Sequence, residues 1–126
     1  MNSKDFVPHN IALEMKSLGF NEPCFGRWLI ITEWGTPTGE IRLQIGAKAE
    51  DYDKEQFHAP TFSQCFRWFR ERRDLQYWLS DGGYLGKCFI KITGYKHDKF
   101  YFSSSEPMEY EEAELACLIK LIEIVK

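Results

Sequence analysis

The chain has 126 residues, of which 44% are hydrophobic, 28% charged and 16% aromatic, with a formal net charge of −3. That mix belongs to an ordinary globular domain of one core, and a charge so near neutral makes no electrostatic case for a nucleic-acid or membrane-surface protein. No apolar run approaches the length of a bilayer span.

The opening residues, M-N-S-K-D-F-V-P, hold no apolar signal core and look like a loose lead-in. Pro8 suits the first turn of a helix whose Ile11, Met15 and Leu18 share a face, and Gly19 followed by Phe20 suits its glycine cap. Residues 25–34, with Trp28-Leu29-Ile30-Ile31, are apolar on both faces, as a central strand would be. Residues 35–39 carry turn chemistry, and residues 40–45 alternate, with Ile41, Leu43 and Ile45 inward. The two strands form a hairpin. Residues 47–58 are polar and acidic and read as a surface loop.

Residues 60–74, P-T-F-S-Q-C-F-R-W-F-R-E-R-R-D, predict an amphipathic helix. Phe62, Cys65, Phe66 and Phe69 fall on one side; Arg67, Arg70 and Glu71 lie opposite, and Trp68 sits on the flank of the apolar arc. Three short strands follow: residues 75–80 with Leu75, Tyr77 and Leu79 on one face, residues 86–93 with Cys88, Ile90 and Ile92 inward, and residues 99–103 with Phe100 and Phe102 on one face. Turns at 81–83 and 94–98 join them. Residues 109–126 predict a long closing helix with the stripe Tyr110, Ala113, Cys117, Leu121 and Ile124. A second stripe, Leu115, Ile119 and Ile122, means that the helix is wedged between layers or forms a homodimer or partner surface. The order α-β-β-α-β-β-β-α, with short turns between strands, predicts an α+β fold: an antiparallel sheet with helices packed mainly on one face. The expected domain is single, 1–126, made of a helix and hairpin (8–46), the acidic loop (47–58) and an α-β-β-β-α part (59–126).

Two resemblances follow from these stretches. I-A-L-E-M-K-S-L-G-F-N-E-P-C-F-G (residues 11–26), A-P-T-F-S-Q-C-F-R-W-F-R-E (59–71) and Y-E-E-A-E-L-A-C-L-I-K-L-I-E-I-V-K (110–126) resemble a family of short uncharacterised proteins of phages, prophages and mobile elements of gut Bacteroidales. That likeness implies a context and no mechanism. From Pro60 onward the order is similar to the double-stranded-RNA-binding domain, and A-E-L-A-C-L-I-K-L (113–121) resembles that family's last helix. The family grips phosphates with lysines at the start of that helix. Here Glu106, Glu109, Glu111, Glu112 and Glu114 stand there instead, which suits a helix N-terminus and repels phosphate.

Charge is unevenly spread: residues 1–59 carry six Lys/Arg against nine Asp/Glu, residues 60–100 eight against four, and residues 101–126 two against six. Motifs with chemical content are weak. Gly82-Gly83-Tyr84-Leu85-Gly86-Lys87 precedes a strand where a phosphate loop needs a helix. Asp51-Tyr52-Asp53-Lys54-Glu55 lacks the glycine and glutamate of a calcium loop. His9, His58 and His97 pair with no cysteine at metal spacing, and no serine sits in a nucleophile elbow. Four cysteines without a C-x-x-C pair would suit disulfides in a secreted protein; with no signal segment, free buried thiols in a reducing cytoplasm fit better, Cys65 and Cys117 in the core.

The sequence therefore predicts a non-catalytic cytoplasmic accessory or adaptor protein, without metal, cofactor or membrane contact, that binds a protein. Trp and Arg carry most interface energy, so Arg67, Trp68, Arg70, Trp78 and Trp34 are the interface candidates, and Leu115, Ile119 and Ile122 those for self-association. The alternative is a nucleic-acid-binding module that uses the arginine face of helix 60–74 and the strand with Lys87 and Lys91.

Overall fold

The computed structural model describes residues 2–46, 54–81 and 87–126. The chain divides into two units, Met1–Thr61 and Phe62–Lys126, each with its own antiparallel sheet. With three α-helices among the described residues beside these sheets, the fold is α+β. Residues 82–83 of the predicted turn and most of the acidic segment 47–58 lie outside the described residues.

In the first unit, helix α1 (His9–Ser17) precedes strands β1 (Gly26–Glu33), β2 (Thr36–Ile45) and β3 (Lys54–Ala59). The sheet order is β2-β1-β3, so β1 is central, as its two apolar faces require. Residues 54–58, expected in a loop, belong to β3: they pair with Arg27–Ile31 and satisfy the second edge of β1, which would otherwise expose its backbone groups. Glycine ends α1 as expected. Gly19 sits at φ +103°, its N–H bonds to Lys16 O, the Phe20 N–H bonds to Met15 O at 3.0 Å, and Phe20 is buried.

The lead-in is not loose. Phe6 and Val7 are buried, Val7 N–H donates to Pro60 O at 3.0 Å, and Trp28 Nε1–H donates to Val7 O at 3.2 Å. Phe6 lies so close to β1 that a Cβ on Gly26 would meet its ring at 2.6 Å.

The hairpin also turns earlier than expected. Glu33 pairs with Thr36, so Trp34 (φ 54°) and Gly35 (φ 79°) form the whole loop, a two-residue turn with positive φ at both positions that matches strand twist. The remaining turn-like residues, through Gly39 (φ 90°), lie inside β2 as a bulge opposite the register shift between Ile30 and Thr32.

In the second unit, helix α2 (Phe62–Arg73) leads to β4 (Leu75–Asp81), β5 (Lys87–Gly94), β6 (Phe100–Ser103) and a short β7 (Met108–Glu109) before helix α3 (Tyr110–Val125). The order is β4-β5-β6, and β7 also pairs with β5, through Lys87–Glu109 and Cys88–Met108. Both helices meet the sheet face that carries Tyr77. Phe66 of α2 stacks on the Tyr77 ring at 3.9 Å, and Tyr77 feels the field of Glu114 and Cys117 of α3. Cys65, Phe66, Phe69, Leu75, Ile90, Ile92, Cys117, Leu118 and Leu121 fill that side and are buried.

Three expectations about side chains change. Trp68 is buried at 5% exposure: its indole lies edge-on to Phe69 (5.1 Å, 83°) and the Arg73 guanidinium covers it at 5.3 Å. A flank position on the wheel is enough to bury so large a ring. Ile122 is also buried, because the buried residues of α3 (Ala113, Cys117, Leu118, Leu121 and Ile122) span an arc of about 180° at 100° per residue. Of the second stripe, Leu115 is half-buried and only Ile119 is exposed. Phe100 and Phe102 do not share a face: a register shift between Ile92 and Thr93 sets Phe102 against Ile92 and Phe100 against Thr93. Phe102 is half-buried under the Lys120 ammonium (4.7 Å), while Phe100 is exposed.

Candidate binding face

Alternation along β4 and β5 turns Gln76, Trp78, Lys91 and Thr93 away from the helices, and cross-strand pairing sets Trp78 beside Lys91 and Gln76 beside Thr93. These four side chains and the β5–β6 turn (Gly94–Asp98) line an open concavity of about 600 Å³. Trp78 Nε1–H reaches Thr93 Oγ1 at 3.4 Å, a contact that steadies the indole while leaving it half exposed.

The wall of the concavity is the turn, and Asp74 organises it. Asp74 joins α2 to β4 with φ 56°, a left-handed conformation that Asp tolerates better than most residues. Its backbone carbonyl accepts from Tyr95 N–H (2.9 Å) and its carboxylate from Lys96 N–H (2.8 Å); its second oxygen lies 3.2 Å from His97 Nε2. His97 Nδ1 in turn accepts from Lys99 N–H at 3.2 Å, which assigns the ring proton to Nε2, facing Asp74. The imidazole rests on Gly94, where any Cβ would collide with it. One helix-terminal residue thereby fixes a five-residue turn, so its side chains stand on a rigid support.

Three aromatic rings stand out on this side or its border: Trp78 (51% exposed), Tyr95 (45%) and Phe100 (58%). Cations accompany them. Lys91 is exposed beside Trp78, the Arg70 guanidinium sits 5.9 Å from the Tyr95 ring centre, and the Lys99 ammonium is 4.8 Å from that of Tyr101. Lys87 is committed elsewhere, hydrogen-bonded to Glu109, and that contact raises its pKa. On the opposite side of the sheet, burial pushes the Cys117 thiol up to about 12 and the Tyr77 hydroxyl upward, which marks a dry interior.

Of the residues singled out from the sequence, Trp78 lines the concavity, Arg70 does not line it but approaches the Tyr95 ring on its wall, Arg67 is exposed on α2, and Trp68 is interior. Trp34 is 95% exposed but belongs to the other unit, at its hairpin tip. Tyr95, His97 and Phe100 went unmarked. G-Y-K-H-D-K reads only as a turn, and the shift that exposes Phe100 leaves no trace in the local pattern.

Among the described residues, no group of three or more His, Cys, Asp or Glu could hold a metal ion. The described cysteines are free, and no helix is long and apolar enough to cross a membrane. The chain matches no family model, and no curated protein or solved structure is similar to it.

Proposed function

We propose that this is a non-catalytic accessory or adaptor protein, of the phage and mobile-element kind its sequence resembles, that binds an acidic segment of a protein partner on the open face of the second sheet. The observation that carries the reading is the exposed Trp78 paired with Lys91, beside a turn locked by Asp74. An indole held in place but half exposed loses little entropy on binding and brings a large contact area. Lys91, Lys96 and Arg70 around the rings favour carboxylates in the partner.

A protein segment fits better than a nucleic acid. The second unit carries ten Lys/Arg against ten Asp/Glu and has no net charge to gather a polyanion. Exposed Glu109, Glu111 and Glu112 at the start of α3 repel phosphate, and Lys87 is held by Glu109.

Selection from a random peptide library tests the reading. Wild-type protein should enrich peptides that combine Asp/Glu with apolar residues, and Trp78→Ala should weaken the selected peptides about tenfold or more. A ten-nucleotide single strand is the rival probe. Failure to enrich such peptides, or tight oligonucleotide binding that falls steeply with salt, would overturn the proposal.

A further inference from the structure

The first unit holds a second cleft, and its lining is chemically one-sided. About 390 Å³ opens between the end of α1, the chain after its cap, and the paired strands β1 and β3. That volume lies within the range of small-molecule sites, which are mostly apolar with a few placed polar groups. The apolar part is Ala12 and Phe20, both buried, a firm hydrophobic floor; Phe57 also borders the cleft, its ring turned by strand alternation to the face opposite Arg27 and His58. Lys16, Arg27 and His58 supply the charge-bearing groups. Asn21 and Gln56 add amides.

No carboxylate lines the cleft among the described residues, although this unit holds nine Asp/Glu against six Lys/Arg. Arg27 stands on the central strand, where pairing sets it directly opposite His58 on β3 and Gln44 on β2. Its side chain is half-buried and forms no ion pair with a described side chain. A guanidinium beside an apolar floor is favourable where an anion arrives to pair with it, because its fork matches carboxylate and phosphate oxygens. Gln44 nearby keeps its side-chain carbonyl oxygen buried with no hydrogen-bond partner, so the polar row that contains Arg27 is not satisfied internally.

We infer that this cleft binds a small organic anion, with an apolar or aromatic body on Ala12 and Phe20 and its carboxylate or phosphate held by Arg27 and Lys16. Lys16 is exposed on α1 and guides the charge inward; Arg27 grips it. The site lies wholly in the first unit and is independent of the peptide-binding face proposed above.

The experiment is an NMR titration of the isotope-labelled full chain with benzoate, phenyl phosphate and, as the neutral counterpart, benzamide. Both anions should shift amide signals at Ala12, Lys16, Phe20, Arg27 and Phe57, and benzamide should bind at least about tenfold more weakly. The stronger of the two anions identifies the head group as carboxylate or phosphate. Arg27→Gln should lower anion affinity about tenfold and leave the weak benzamide binding unchanged. Should that variant disturb the fold, Lys16→Gln, at an exposed helix position, decides: a loss of about threefold supports the site, and unchanged affinity overturns it. Absence of shifts with either anion, or benzamide bound as tightly as benzoate, also overturns it.

Discussion

The two sheets solve the same problem with unequal means. The second lies under two helices, α2 and α3, that fill one face with phenylalanine, cysteine and branched aliphatic side chains. The first has, among the described residues, one α-helix, the nine-residue α1. It completes its core with Phe6 and Val7 from the chain start, and the first half of β2 (Thr36–Glu40) remains exposed. Apolar helix area decides how much of a sheet is dry. One well-covered face leaves the second sheet free to expose its other face around Trp78. In the first sheet the thin cover leaves a cleft at the margin of the helix instead.

This contrast is tested first by emptying the better-filled core. Phe69 is completely buried and touches Trp68 edge-on. Phe69→Ala should cost about 3–5 kcal/mol, read from urea denaturation. A loss under about 1 kcal/mol would mean that α2 is not the packed layer described.

The two tight glycines give a finer comparison. A Cβ at Gly26 meets the Phe6 ring at 2.6 Å, and Phe6 is buried, so it has nowhere to go. A Cβ at Gly94 meets His97, whose side chain is 42% exposed and can swing into solvent. Gly26→Ala should therefore destabilise by about 1–3 kcal/mol, the usual range for overpacking. Gly94→Ala should cost less in denaturation but release His97 from Asp74, visible as increased mobility of the Tyr95–Lys99 amides in NMR relaxation. Equal losses at the two sites would contradict the difference in confinement.

What the sequence reveals follows period and composition. The helix around Phe62, Cys65, Phe66 and Phe69, the central strand with Trp28 to Ile31 and the closing helix are set by patterns longer than a turn, and they form as expected. Strand β3 was hidden because K-E-Q-F-H looks polar; it forms because the edge of β1 needs a partner, a requirement no local window contains. The burial of Trp68 and the split of Phe100 from Phe102 have the same origin: ring size and a one-residue shift, both set by tertiary packing. For the candidate face, alternation alone turns Trp78 and Lys91 outward together. The role of Asp74 could not be read, since it joins residues 20 or more positions apart.

Acid–base behaviour probes the dry side of the second sheet. The Cys117 pKa is raised from its usual 9.0 to about 12, first by burial and then by Glu114. The folded state therefore holds the thiol proton where the unfolded chain releases it. Stability from this group is complete below pH 9 and drains between pH 9 and about 12. The slope is on the order of 1 kcal/mol per pH unit in that window. Cys117→Ala removes this dependence, so the urea midpoints of wild type and variant should converge as pH rises from 8 to 10.5. Tyr77 and Tyr110, raised by the same desolvation, remain in both proteins and cancel in the comparison. Parallel profiles would show that Cys117 is not in a dry site.

The smallest effect is expected where the first unit is most exposed. Trp34 is 95% exposed, so its ring contributes almost no buried area to the fold. Its backbone has φ 54°, in the left-handed region that a two-residue hairpin loop demands and an indole side chain does not favour. Trp34→Asn keeps that conformation with a residue better suited to it, so stability should stay within about 0.5 kcal/mol of wild type or rise slightly. Trp78→Asn, on the candidate face, should cost more, because that indole is half-buried and bonded to Thr93. If peptide binding falls on removal of Trp34 while Trp78→Asn leaves it intact, the binding surface belongs to the hairpin tip of the first unit and the open sheet of the second is only a solvated face.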